Sequence, residues 1–97
     1  MVGKIIIMIR HQLEIILGEE LRILAIKTRE RLSLTQKEMG ERLQMSESSY
    51  SDIETGKSKC GTLSAVLLLN MQSNPVESLL LIKTKINEWY ARETMAV

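Results

Sequence analysis

Ninety-seven residues with a net charge of +1, 44% hydrophobic content and 3% aromatic residues support one small domain. The single cysteine, Cys60, cannot form an internal disulfide, no Cys/His cluster has metal spacing, and one cysteine with one histidine, His11, leaves little to build an enzyme site with. The expectation is a non-enzymatic chain of a reducing cytoplasm, with no metal and no cofactor. Phenylalanine is absent and Leu, Ile, Lys, Glu, Arg and Met dominate. Most of these are good helix formers, so the fold class expected is all-α.

The apolar run Ile5-Ile6-Ile7-Met8-Ile9 follows Lys4 and is stopped by Arg10-His11-Gln12. It is too short to span a membrane, and no small-residue cleavage site follows it. Ile6, Ile9, Leu13 and Ile16 fit one face of a helix, while the β-branched run suits equally well a strand pairing with a symmetry mate. Leu17, Leu21, Leu24, Ala25, Thr28 and Leu32 then recur at helical spacing. They predict a first helix from about Gly18 to Leu32.

Thr35 and Glu38 are spaced as a capping box, with Leu34 and Met39 at the two positions of a hydrophobic staple. A helix is predicted from Gln36 to about Leu43. Ser46 supplies a second N-cap, Met45 plugs the corner, and Gly56 after Thr55 ends the next helix in a left-handed conformation. Gly40 falls where the two helices cross most closely. The segment from Thr35 to Gly56 therefore reads as two short helices joined by a tight turn. Lys57 to Gly61 is a polar loop. Thr62 is read as the cap of a nearly all-apolar helix from Leu63 to about Met71. Asn74, Pro75 and Glu77 combine three start signals for a last helix, whose stripe Leu79, Ile82, Ile86, Trp89 and Tyr90 continues far beyond Leu80.

Leu17 to Arg22, Arg29-Glu30, Leu34 to Met39 and Met45 to Lys57, taken together, resemble the lambda-repressor and Cro type of helix-turn-helix protein, the XRE-like family. The resemblance covers about Leu17 to Leu80. It implies a compact five-helix repressor-type DNA-binding domain at 17–80, preceded by an apolar extension at 1–16 and followed by a helical extension at 81–97. It also implies a cytoplasmic transcriptional regulator that binds double-stranded DNA as a homodimer on a palindromic operator. Carried over by position, base reading falls to Glu47, Ser48 and Asp52. DNA-backbone contact falls to Thr35, Gln36, Ser46, Ser49, Ser51, Thr55, Lys57 and Lys59. Arg29 and Glu54 correspond to a structural salt bridge. Ile5, Ile6, Ile9, Leu13, Ile82, Ile86, Trp89 and Tyr90 are apolar surplus, to pack on one another or to meet a dimer mate or another partner.

Charge complicates that assignment. From Thr35 to Gly61, Lys37, Arg42, Lys57 and Lys59 are outnumbered by Glu38, Glu41, Glu47, Asp52 and Glu54. A DNA-facing element is usually basic. Glu38 and Glu54 have structural partners and Glu41 is expected to face solvent, which leaves Glu47 and Asp52 as the anomalies. Two alternatives follow. One is an antitoxin of the same fold that binds a toxin and represses its own promoter; the other is a protein-interaction module on the same fold.

Overall fold

In the computed structural model, which describes residues 2–95, the chain forms α1 (Val2–Arg31), α2 (Gln36–Arg42), α3 (Glu47–Glu54), α4 (Thr62–Asn70) and α5 (Pro75–Met95). No strand occurs among the described residues. Residues 1, 96 and 97, the outermost positions of the two expected extensions, lie outside them.

The first helix differs most from expectation. It does not begin at Gly18 but runs unbroken for 30 residues, and the isoleucine run is helical. A mid-helix glycine costs roughly 1 kcal/mol relative to alanine, too little to stop a helix with good formers on both sides. Ion pairs bridge successive turns at Arg10–Glu14 (3.2 Å) and Glu19–Arg22 (2.7 Å), one on either side of the glycine. α1 ends at Arg31, and two residues on Ser33 takes a left-handed φ of 53° that lets the Leu34 N–H reach the Arg29 carbonyl at 3.0 Å.

The corner of the motif is closed by local bonds. Thr35 Oγ1 accepts from the Glu38 N–H at 3.1 Å, and a Glu38 carboxylate oxygen accepts from the Thr35 N–H at 3.0 Å. The backbone N–H of Thr35 in particular holds the Glu38 carboxyl below its ordinary pKa. Gln44 turns the chain through a left-handed φ of 60°, and Gly56 does so at 81° after α3. A Cβ at Gly40 would sit 3.0 Å from the Met45 carbonyl oxygen and 3.1 Å from that of Ser46, so only glycine fits this crossing without backbone movement.

Thr62 does not cap α4. Gly61 occupies the N-cap without any side-chain bond and Thr62 is the first helical residue. The N–H groups at this end lose a capping partner, and apolar burial carries the helix instead. Asn74 does cap α5, its Oδ1 accepting from the Glu77 N–H at 3.1 Å.

The core is Leu21 and Ala25 of α1, Met39 and Leu43 of α2, Tyr50 and Ile53 of α3 and Leu68 of α4, all buried. Thr28, also buried, donates its hydroxyl to the Leu24 carbonyl at 2.7 Å and accepts from Gln72 Nε2 at 2.9 Å. Only the second half of α1 and the start of α5, through Ile82, reach this core. The first half of α1 and the rest of α5 lie side by side as an antiparallel projection. The molecule measures 45 × 25 × 18 Å with a radius of gyration of 15.1 Å. A compact chain of this length would have one of about 12.5 Å. No helix among the described residues is long and apolar enough to cross a membrane.

Candidate nucleic-acid interface

α3 is the element presented outward. Its inner side, Tyr50 and Ile53, is buried, while Glu47, Ser48 and Ser49 at its start are exposed and Ser51 and Asp52 are half-buried. Ser46 organises that start. Its Oγ accepts from the Ser49 N–H at 3.2 Å, donates to Ser49 Oγ at 2.9 Å, and lies 3.4 Å from Ser48 Oγ. A knot of three hydroxyls thus sits at the exposed helix N-terminus, and Glu47 in the first turn complements the helix dipole.

The other end of α3 is clamped from α1. Arg29 Nε donates to Glu54 Oε2 at 2.6 Å and its Nη2 donates to Oε1 at 3.1 Å, a two-pronged pair. Arg29 Nη1 also donates to the Leu34 carbonyl at 3.3 Å. Two helical turns earlier, Arg22 donates through Nη1 to the Glu54 backbone carbonyl at 3.1 Å while its other nitrogens hold Glu19. Both guanidiniums therefore fix one residue, Glu54, by its side chain and by its main chain. Burial works against the Glu54 carboxylate, but Arg29, Tyr50 and Gln36 together outweigh it and leave its pKa below the ordinary value. The Tyr50 hydroxyl is buried beside this pair without an aligned hydrogen bond, and burial raises its pKa.

Gln36 belongs to the same cluster. Its Nε2 donates to Glu54 Oε1 at 3.1 Å, so the start of α2 is tied to the end of α3. Gln36 is half-buried, next to the capped N-terminus at Thr35. Thr55 is exposed and donates to the Asp52 carbonyl at 3.3 Å. Lys57 is exposed, whereas Lys59 Nζ lies 3.7 Å from Glu14 of α1. Thr35, Ser46, Glu47, Ser48 and Ser49 are thus exposed on the motif and Gln36, Ser51 and Asp52 half-buried, with Thr55 and Lys57 exposed beyond the end of α3. Lys59 is turned towards α1.

The apolar set divides. Ile5 and Ile9 line a groove with Trp89 and Tyr90, whose rings stand edge to face at 5.1 Å. Ile6, Ile9 and Leu13 line a second groove with Ile86. Ile82 is not with them; it packs on the core of the motif-bearing domain. Cys60 lies half-buried in a small cleft beside α1, where burial raises its thiol pKa.

Arg22 holds the site without having been assigned a role from the sequence. It lies in the Leu17–Arg22 segment that carries the resemblance, and its interval of seven residues to Arg29, two turns of one helix, puts both on one face.

No curated protein and no solved structure matches the chain. A family profile described as a helix-turn-helix domain matches residues 16–69, which begin midway along α1, take in all of α2 and α3 and end in α4. With more than half of its length matched, the protein belongs to the helix-turn-helix domain family.

Proposed function

We propose that the chain is a sequence-specific, double-stranded-DNA-binding transcriptional regulator that acts as a homodimer on a palindromic operator. The observation that carries this reading is the posture of α3. One end is locked to α1 and α2 by the Arg29–Glu54–Gln36 cluster, and the other is exposed with hydroxyl and carboxylate side chains directed outward. A helix held rigidly by its C-terminal end, with a free N-terminal turn, suits insertion of that turn into a major groove. In this docking Glu47, Ser48 and Asp52 face base edges, while Thr35, Gln36, Ser46, Ser49, Ser51, Thr55 and Lys57 face the backbone. Lys59 contributes only after leaving Glu14. The domain is taken to span 17–80 with an extension on either side, although the continuous α1 makes the first extension part of the same rod.

Selection of bound duplexes from a random pool tests the reading. A palindromic consensus with half-sites about one helical turn apart is expected; no enrichment at all would sink it. A second reading, a protein-binding module or antitoxin, is favoured by the acidic residues on the presented helix, Glu47 and Asp52. Serines beside them read bases permissively, and carboxylates repel phosphate. Neutralising both, Glu47→Gln with Asp52→Asn, separates the two. A DNA reader then binds non-specific duplex several-fold more tightly with altered preference, as read by fluorescence anisotropy at several salt concentrations. A protein-binding module gains no preference.

A further inference from the structure

We propose that a second copy of this chain lies along the α1/α5 projection, forming an intermolecular four-helix bundle. Dimerisation then runs through the projection rather than through the motif-bearing domain. The proposal deepens the homodimer reading above by assigning its interface.

Helical geometry gives the first argument. Ile5, Ile6, Ile7, Met8 and Ile9 advance about 100° apiece, so five consecutive apolar residues cover the whole circumference of α1. A helix apolar all round is normally enclosed. α5 covers one side only: Ile6 remains 59% and Ile7 69% exposed.

Area supplies the second. A monomer of 11.1 kDa is expected to expose about 5,700 Å², whereas this chain exposes 6923 Å². The difference, about 1,200 Å², exceeds the roughly 800 Å² that each partner buries in a standard stable interface.

Shape argues for a copy rather than a foreign helix. A two-fold interface sets one surface patch against itself, so the patch must be compatible with its own chemistry. The projection offers such a patch, apolar along most of its length. Its groove, about 750 Å³, runs between Ile5, Met8 and Ile9 on one wall and Trp89 and Tyr90 on the other, with Gln12 and Glu93 at the rim. On the other flank Ile6 borders the second groove with Ile86, and Ile7 lies on the side of α1 away from the first groove; both are exposed.

Light scattering on the full chain, with the fluorescence of Trp89, tests the assignment. Trp89 is the single tryptophan, so its emission reports this groove alone. The parent chain is expected at twice the monomer mass at tens of micromolar, with Trp89 emission moving to the red as dilution halves the mass. Ile6→Glu with Ile7→Glu should give a monomer of unchanged helical circular dichroism. It should bind a palindromic duplex about 100-fold more weakly and an isolated half-site unchanged. Leu63→Glu with Val66→Glu, on the exposed outer side of α4, should keep the parent mass. A dimer that survives the Ile6/Ile7 change overturns the proposal, as does a dimer lost only through the Leu63/Val66 change. A parent chain monomeric at every concentration overturns it as well. Should the Ile6/Ile7 variant unfold, the dilution series decides instead: a mass that halves with no change in Trp89 emission puts the interface elsewhere. A chain that dimerises in this way and enriches no DNA sequence keeps the interface and removes the operator reading.

Discussion

Two halves of one helix behave as different materials. From Leu21 to Arg29, α1 is the keel of the motif-bearing domain. Leu21, Ala25 and Thr28 are buried and Arg22 and Arg29 grip α3. From Ile5 to Leu17 the same continuous helix is just as apolar and largely bare. The lesson is that apolar content does not decide burial; the number of neighbouring elements does. Residues of α2, α3, α4 and α5 join Leu21 and Ala25 in one cluster, whereas the tip has α5 along it and, near Glu14, only the loop around Lys59.

Breaking the contrast starts with the largest expected effects. Leu43→Ala removes a buried core side chain from α2 and should cost about 3 kcal/mol in a chemical denaturation curve; a loss below half a kcal/mol would show that the base is as loosely packed as the tip. Gly40→Leu should cost about 2 kcal/mol or more, because its Cβ already meets the Met45 and Ser46 carbonyls and the backbone must part. An unchanged melting temperature would contradict that close crossing.

Glu54→Gln sharpens the contrast with pH. The folded Glu54 pKa lies below its ordinary value of 4.5, so its stabilisation is fully present above that value. It is lost as pH falls through the lower folded value. The variant should therefore be less stable than the parent by about 2 kcal/mol at pH 7. The gap should close only in acid, below 4.5. A difference independent of pH would mean that packing, not charge, fixes the end of α3. The smallest effect belongs to the tip: Ile6→Ser should change the unfolding free energy by under about 0.5 kcal/mol at concentrations where the chain is monomeric. A larger loss there would erase the distinction between the halves.

Much of the fold was legible because its signals are local. The capping box at Thr35, the Ser46 cap, Gly40, Gly56 and the Asn74-Pro75 start each act within a few residues, and each sits where local chemistry requires it. The errors arose where a local signal was too weak to decide. Gly18 looked like a boundary and is an ordinary helical position; Thr62 looked like a cap and lies one residue inside. The candidate site was less legible than the fold. Gln36 reads as a phosphate contact from its place at a helix start, yet its amide also bonds Glu54, eighteen residues away in sequence. Arg22 lies within a segment that carries the resemblance but had no role assigned to it, and it holds the backbone of α3.

By itself, then, the sequence determined the all-α class, the helix-turn-helix corner and the acidic character of the presented helix, since capping, periodicity and charge are properties of neighbouring residues. Tertiary structure alone decided that α1 is one rod, that Arg22 joins Arg29 on Glu54, and that the isoleucine-rich end projects with its apolar surface uncovered. Those outcomes depend on which surfaces meet across long separations, and no spacing within the chain encodes that a surface will find no partner within its own molecule.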